Sequence, residues 1–571
     1  MSRKVLLTGL AVFVVVLVAI GFRFYDITNY PPGLFPDEAA NGEDALLILE
    51  GDYRPFYPRG NGREALFFFL EALSIKLFGI GAWQLHMVSA VIGALTVVAT
   101  YFATRIWFGR LAGVLAALFL ATSHWHVTLS RTGFRAILIP LFLAAFTALT
   151  GYVIAAIGRK KAGWSYVYAA LAGAALAGGF YTYIAYRVMV GVVGGIFVLL
   201  LLAAVHPKIG FPHFRRYGRQ LAVGAVAAVL VLAPLGWYFG QNPEDFVGRA
   251  GQVSVFSKDL QEQVGGGKLL PTLAYTAETT LMSFFAGPGD VNWRHNVAGF
   301  ALLNPLVGLL FLLGLAWTIH GTVLVAYKVM RGQEVHLGMI FPYLLLLLLG
   351  MLMPVITTAQ GLPHGLRSIG LAFPIFLLAG TAGAVIVHWC RRRAGSEAGS
   401  GLCGGLIAGL LLLGVVYDGA LYFGVARNDP GAHYAYRGDL TQVAVWLNEY
   451  AGRPYLVLDK FSLQTIHFLT SVAAHEHTVG DEVHPDEEQH KWRQVDPAMS
   501  HLTVLKPGEV IAFTQSTLVD ADRYEEIHPE VELIESKVDR FGQEIMRVYE
   551  VPEPAVEGIQ NEGGERGDLD A

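Results

Sequence analysis

Asp37 and Glu38 stand side by side in Phe35-Pro36-Asp37-Glu38, in a chain where charge is scarce. Carboxylates placed just after an apolar span, in a chain that is mostly membrane, cost free energy unless they do a job. Pro36 can open a helix running to about Leu49, placing both acids in its first turn, where free backbone N–H groups and the helix dipole favour the ionised form. A capping role alone would also explain such a pair. Its setting argues for more, because Glu43, Asp44, Arg63 and Glu64 crowd the same stretch just after an apolar run.

The second group of candidates is basic and aromatic. Arg131 and Arg135 follow Ser123-His124-Trp125-His126. Trp293, Arg294 and His295 lie with Asp290 in Gly287-Pro288-Gly289-Asp290-Val291-Asn292-Trp293-Arg294-His295-Asn296, and His364 and Arg367 lie in Gly361-Leu362-Pro363-His364-Gly365-Leu366-Arg367-Ser368. A guanidinium can meet two phosphate oxygens at once, so a phosphate at a membrane surface would satisfy several of these side chains. Any single arginine could instead reach for headgroups or pair with the acids of the first loop. The turn-forming Gly and Pro around His364 and Arg367 favour a defined loop there.

These residues must be positioned by membrane helices. The chain of 571 residues is 54% hydrophobic and 15% charged, with a mean hydropathy of +0.47, values that exclude an ordinary water-soluble enzyme. Val5 to Phe24 is long enough to cross a bilayer and lacks a small-x-small site after it, which favours an uncleaved anchor. Basic clusters recur at Arg105 and Arg110, Arg159 to Lys161, Lys208 to Arg219, Lys328 and Arg331, and Arg391 to Arg393. Assigning all of them to the cytoplasm gives about eleven spans, near residues 5–24, 83–106, 111–129, 136–157, 164–184, 188–205, 220–239, 299–325, 337–356, 369–389 and 401–423. External loops then cover 25–80 and 240–298. The short apolar segment Glu64 to Gly79 is expected to lie as an amphipathic helix in the outer interface.

Residues 426–552 alternate helix-like and strand-like segments: a helix near Leu440 to Tyr450, a strand at Pro454 to Leu458, a helix at Ser462 to Ala473, and strands near Val510 to Phe513 and Ile545 to Val551. That order predicts a small extracytoplasmic α/β domain. An acidic, Gly-containing tail over 553–571 is expected to be disordered. Cys390 and Cys403 flank the Arg391 to Arg393 cluster, so no structural disulfide is expected. His475, Glu476, His477 and His484 invite a metal reading, but their surroundings resemble a solvated loop. Asp37 and Glu38 could hold a divalent cation, yet they bring no further oxygen ligands, and no metal is assigned. No phosphate-binding glycine loop or dinucleotide fingerprint is present, so neither a nucleotide nor a nucleic acid is expected as partner.

An acidic pair in the first external loop resembles the membrane glycosyltransferases of the GT-C fold. So does the Gly62-x-Glu64 segment leading to a short helix that ends Lys76-Leu77-Phe78-Gly79, followed by Gly93-Ala94-Leu95-Thr96. The similarity is to glycosyltransferase family 39, the dolichyl-phosphate-mannose protein mannosyltransferase type with its bacterial aminoarabinose-transferring relatives, and covers roughly residues 1–425. It implies a polyprenyl-phosphate sugar donor, a hydroxyl acceptor on protein, lipid or glycan, inversion, and an active site on the external face of the cell membrane. Carried over, Asp37 is the base and Glu38 its support. Glu64, Arg131, Arg135, Trp293, Arg294, His295, His364 and Arg367 are the substrate-binding candidates. The chain departs from the pattern at Arg131-Thr132-Gly133-Phe134-Arg135, where relatives often carry an acid, and at Ala65-Leu66-Phe67, where lysine and prolines often follow the glutamate. Two other functions use similar residues. A flippase for lipid-linked glycans would need the arginines but usually shows repeated halves, which are not seen here. A scaffold would tolerate loss of Asp37.

Overall fold

Long apolar runs become long helices. The computed structural model describes residues 3–206, 208–209, 212–247, 255–335, 337–358, 361–393, 397–470 and 492–553. His475, Glu476, His477 and His484 lie outside the described residues, as does the tail from 554. The described chain divides into one compact unit up to Gly438 and a second from Asp439.

The first unit opens with α1 (Arg3–Phe24), then α2 (Pro36–Leu49), a two-residue strand pair β1 (Phe56–Tyr57) and β2 (Arg63–Glu64), and α3 (Leu66–Phe78). A helical stack follows: α4 (Ala82–Phe108), α5 (Arg110–Thr122), α6 (His124–Leu129), α7 (Leu138–Gly158), α8 (Ala162–Gly178), α9 (Met189–Val205) and α10 (Pro212–Gln241). Three shorter helices occupy the stretch expected to be a loop: α11 (Pro243–Val247), α12 (Lys258–Gly265) and α13 (Leu269–Ser283). The unit closes with α14 (Pro305–Met330), α15 (Ile340–Ile356), α16 (Ala372–Arg393), α17 (Glu397–Gly419) and the short α18 (Pro430–Ala435).

Among the described residues, eight helices are long and apolar enough to cross a membrane, and Arg110–Thr122 and Ile340–Ile356 are shorter apolar helices. Three of the eleven expected spans, 111–129, 164–184 and 337–356, are not among these eight, the last being the shorter helix Ile340–Ile356. The run 111–129 breaks at Ser123, whose extended ψ ends α5 and whose hydroxyl caps α6 through the His126 N–H. The run 164–184 ends its α-helix at Gly178 and continues as a 3-10 turn, Gly179–Tyr181. Where helices touch, small residues let backbones close in, as expected when apolar lipid supplies no hydrophobic drive for association. Gly380 of α16 faces the Ala116 backbone of α5, leaving no room for a methyl group.

The second unit is a small mixed sheet with helices on both faces, the α/β arrangement expected from its sequence. Its elements are α19 (Gly438–Glu449), β3 (Tyr455–Val457), α20 (Lys460–Thr470), β4 (Arg493–Val495), β5 (Val510–Thr514), α21 (Leu518–Ile527), β6 (Glu532–Val538) and β7 (Glu544–Glu550). The strand order is β4-β3-β5-β7-β6. β3 runs parallel to β4 and β5, while β5, β7 and β6 are antiparallel. β5 is buried along its whole length, as a central strand with two covered faces must be. Leu440, Val443 and Leu447 pack on one face with Leu456 and Val548, and Phe513, Tyr524 and Tyr549 fill the other.

Candidate active site

The acidic pair divides its labour by geometry. Pro36 starts α2, so Asp37 and Glu38 occupy its first turn. Asp37 is exposed, whereas Glu38 is fully buried. Glu38 Oε2 accepts the Phe35 N–H at 3.0 Å, Oε1 accepts the Gly133 N–H, and His86 Nε2 of α4 lies 3.2 Å from Oε1. The same chemical group at adjacent positions thus gives an open carboxylate at Asp37 and a structural one at Glu38. Asn41, a turn further along α2, donates to Gly133 O at 2.9 Å and accepts from Arg63 at 3.0 Å. The 130–135 turn is therefore fastened to α2 twice. A side chain at Gly133 would stand 3.2 Å from Glu38 Oε1, so the close approach favours glycine.

The loop 287–301 brings a cation to the acids. The Arg294 guanidinium lies over the Phe35 ring, the residue that precedes α2. Burial pulls its pKa below the usual arginine range, and the charges of Glu38 and Asp37 oppose that pull. Its backbone is braced by Asn292 Oδ1, which accepts the Arg294 N–H at 3.1 Å and Nε–H at 3.2 Å. Trp293 is half-buried, and its carbonyl accepts the Tyr436 hydroxyl at 3.2 Å. His295 Nδ1 lies 2.9 Å from Asp290 Oδ2, and its ring stacks on His364 with centroids 4.5 Å apart. Asp290 Oδ2 also accepts the Gly365 N–H at 2.7 Å, and Gly365 O accepts from Trp125 at 3.0 Å. The 361–368 turn is thereby held against loop 287–301. Arg367 is half-buried one turn from His364, and its N–H lies 3.4 Å from His364 Nδ1.

Glu64 and Arg135 meet at 3.8 Å, with Arg187 3.4 Å from the other Glu64 oxygen. Glu64 is nearly inaccessible and is committed to cations of this chain. Arg131 requires a correction. Its guanidinium is fully buried and donates to the carbonyls of Phe22, Arg23 and Tyr30, beneath the Tyr422 and Phe423 rings. Two carbonyls at the end of α1 and that of Tyr30 beyond it take up the donors that a phosphate was expected to occupy.

Sequence reasoning missed His86, Asn41 and Gly133, which hold the acidic pair. A histidine within an apolar helix was the available signal for His86, since a buried imidazole usually has a polar partner. It also missed Glu71 of α3, a fully buried acid whose carboxyl pKa is pushed well up, first by burial and then by the charges of Glu38 and Asp44.

Residues 65–237 match the family model described as dolichyl-phosphate-mannose-protein mannosyltransferase. No curated protein sequence matches the chain. Among solved structures the chain is similar to ArnT from Cupriavidus metallidurans bound to undecaprenyl phosphate, at 15% identity and a TM-score of 0.47, covering 95% of this chain and 98% of that one. It is also similar to the archaeal oligosaccharyltransferase AglB from Archaeoglobus fulgidus in complex with an inhibitory peptide and a dolichol-phosphate. There the identity is 13% and the TM-score 0.49, over 82% of this chain and 64% of that one.

Proposed function

We propose that this membrane protein, with the mannosyltransferase family match over residues 65–237, transfers a sugar from a polyprenyl-phosphate donor to a hydroxyl on a protein, lipid or glycan. The transfer proceeds with inversion, on the external face of the membrane. The observation that carries this reading is the exposed Asp37 at the start of α2, charge-coupled to Arg294 and set by a buried Glu38.

Each step uses a group of this chain. Asp37 takes the proton of the acceptor hydroxyl as its oxygen attacks the anomeric carbon from the face opposite the phosphate. The bond between that carbon and the phosphate oxygen breaks, and the electron pair leaves with the polyprenyl phosphate, which gains one negative charge. Arg294 and Arg367 are the cations assigned to that charge. A positioned base is typically worth about 10² to 10⁴ in rate, and fixed charges facing a leaving group add several kcal/mol more. Glu38 acts through Asp37 by fixing the α2 turn. Trp293, His295 and His364 are assigned to the substrate-facing wall, Glu64 and Arg135 to the ion pair beside it. No nucleotide takes part.

The test is sugar turnover by purified protein in nanodiscs, offered a panel of polyprenyl-phosphate sugars, with wild type beside a folded Asp37→Asn variant. Turnover is expected to fall by about 10² to 10⁴ in the variant while donor binding persists. Equal turnover by the two removes Asp37 from the chemistry. Donor bound by wild type and never cleaved moves the function to transport of lipid-linked glycans.

A further inference from the structure

We propose that Asp290, His295 and His364 form a binding site for a divalent first-row transition-metal ion, with Zn2+ the best chemical match. One ligand atom from each residue lies within 4.8 Å of the others. Two imidazoles and a carboxylate are the donor set of three-ligand zinc sites, and the nitrogens favour zinc over magnesium or calcium, which take oxygen.

The parts come from distant points in the chain and lie close together. His295 Nδ1 and Asp290 Oδ2 stand 2.9 Å apart, and a cation replaces the proton they share. Zinc bonds of about 2.1 Å put tetrahedral ligands roughly 3.4 Å from one another, so His364 has to move inward by at most about 1.4 Å. Asp290 and His295 are both buried, and His364 is half-buried. The Asp290 oxygens are tethered by the N–H groups of Asn292 at 2.8 Å and Gly365 at 2.7 Å, the outer-shell support that a ligating carboxylate usually has. The two rings stack with planes 17° apart, and because an imidazole binds through the lone pair in its ring plane, His364 has to turn as well as move to share the ion. Three protein ligands leave one coordination position for water or an oxygen anion. Arg294, next in the chain to His295, feels the charge of Asp290 as well as those of Glu38 and Asp37. The ion therefore joins loop 287–301 to the 361–368 turn beside the acidic pair.

Full-length protein in detergent, stripped with a chelator and desalted, is titrated with Zn2+ alone by calorimetry, and its metal content is counted by elemental analysis. A single tightly held equivalent is expected. Asp290→Asn and His364→Ala should weaken it by about 100-fold or more, as losing a ligand costs at least what losing outer-shell support does. His364→Cys replaces one zinc ligand by another and should keep the ion, which separates loss of a ligand from loss of fold. No stoichiometric zinc in wild type overturns the site and leaves the trio as a hydrogen-bonded clamp between two loops. Unchanged affinity in the variants also overturns it, by placing the ion elsewhere. Neither readout requires turnover, so the site stands or falls separately from the transferase reading.

Discussion

Glu71 carries a stability penalty that depends on pH. It is fully buried, neither carboxyl oxygen has a hydrogen-bond donor among the described residues, and burial raises its pKa well above the usual glutamate value. A raised folded-state pKa means that the folded protein holds a proton the unfolded chain releases, so the stability is fully present below the unfolded pKa and is lost as pH rises toward the folded one. Glu71→Gln mimics the protonated acid at every pH. Melting of the two proteins in detergent should coincide near the unfolded glutamate pKa, and wild type should fall behind the variant as pH rises. Parallel melting curves would mean that Glu71 is ionised in the fold. At this scale the sequence made the acidic pair legible, because adjacency and a following helix are local properties. It did not reveal that Glu38 is buried against Gly133 and His86, or that Arg131 is occupied by carbonyls, since both depend on contacts across about a hundred residues.

Helix ends in this protein are fastened by side chains of other helices. Asp418 of α17 is buried, with His124 Nδ1 2.6 Å from Oδ1 and Asn304 Nδ2 donating to Oδ2 at 2.6 Å. Asn304 in turn caps α14 through the Val307 N–H, and His124 opens α6 just after the break at Ser123. One carboxylate therefore fixes two helix starts. Asp418→Ala leaves buried donors on His124 and Asn304 without an acceptor, at a cost of about 1 to 3 kcal/mol. A lower melting temperature is expected, with Asp418→Asn restoring part of it. An unchanged melting temperature would show that other groups satisfy those donors. The long apolar α-helices were legible from the length and hydropathy of each run, whereas α11, α12, α13 and α21 were not, and β3, β5 and β7 were legible from their apolar residues. β4 reads Arg493-Gln494-Val495 and β6 is exposed along most of its length, so neither carries an alternating apolar signal, and only pairing with β3 and β7 makes them strands.

The side of the membrane that each part occupies turns on α8. Six apolar helices of spanning or near-spanning length follow it: five long ones, from Ile184–Val205 onward, and Ile340–Ile356. If α8 does not cross, the basic turn at Arg159 to Lys161 and the second unit share a side; if it crosses, they are opposed. Ala162–Gly178 rises about 26 Å as an α-helix, short of a hydrocarbon core of about 30 Å. The 3-10 turn Gly179–Tyr181 adds roughly 6 Å and closes the gap. Positive residues retained on the cytoplasmic side agree with a crossing. In a Cys390→Ser/Cys403→Ser background, the exposed positions Ala162→Cys and Val519→Cys are treated in intact cells with a membrane-impermeant maleimide. Labelling at 519 and protection at 162 until the cells are lysed is the expected pattern, and it places the second unit outside. Equal labelling or equal protection at both positions means that α8 does not cross. The reverse pattern keeps the crossing but inverts the molecule, putting the basic clusters outside and removing the physical argument for external sugar transfer.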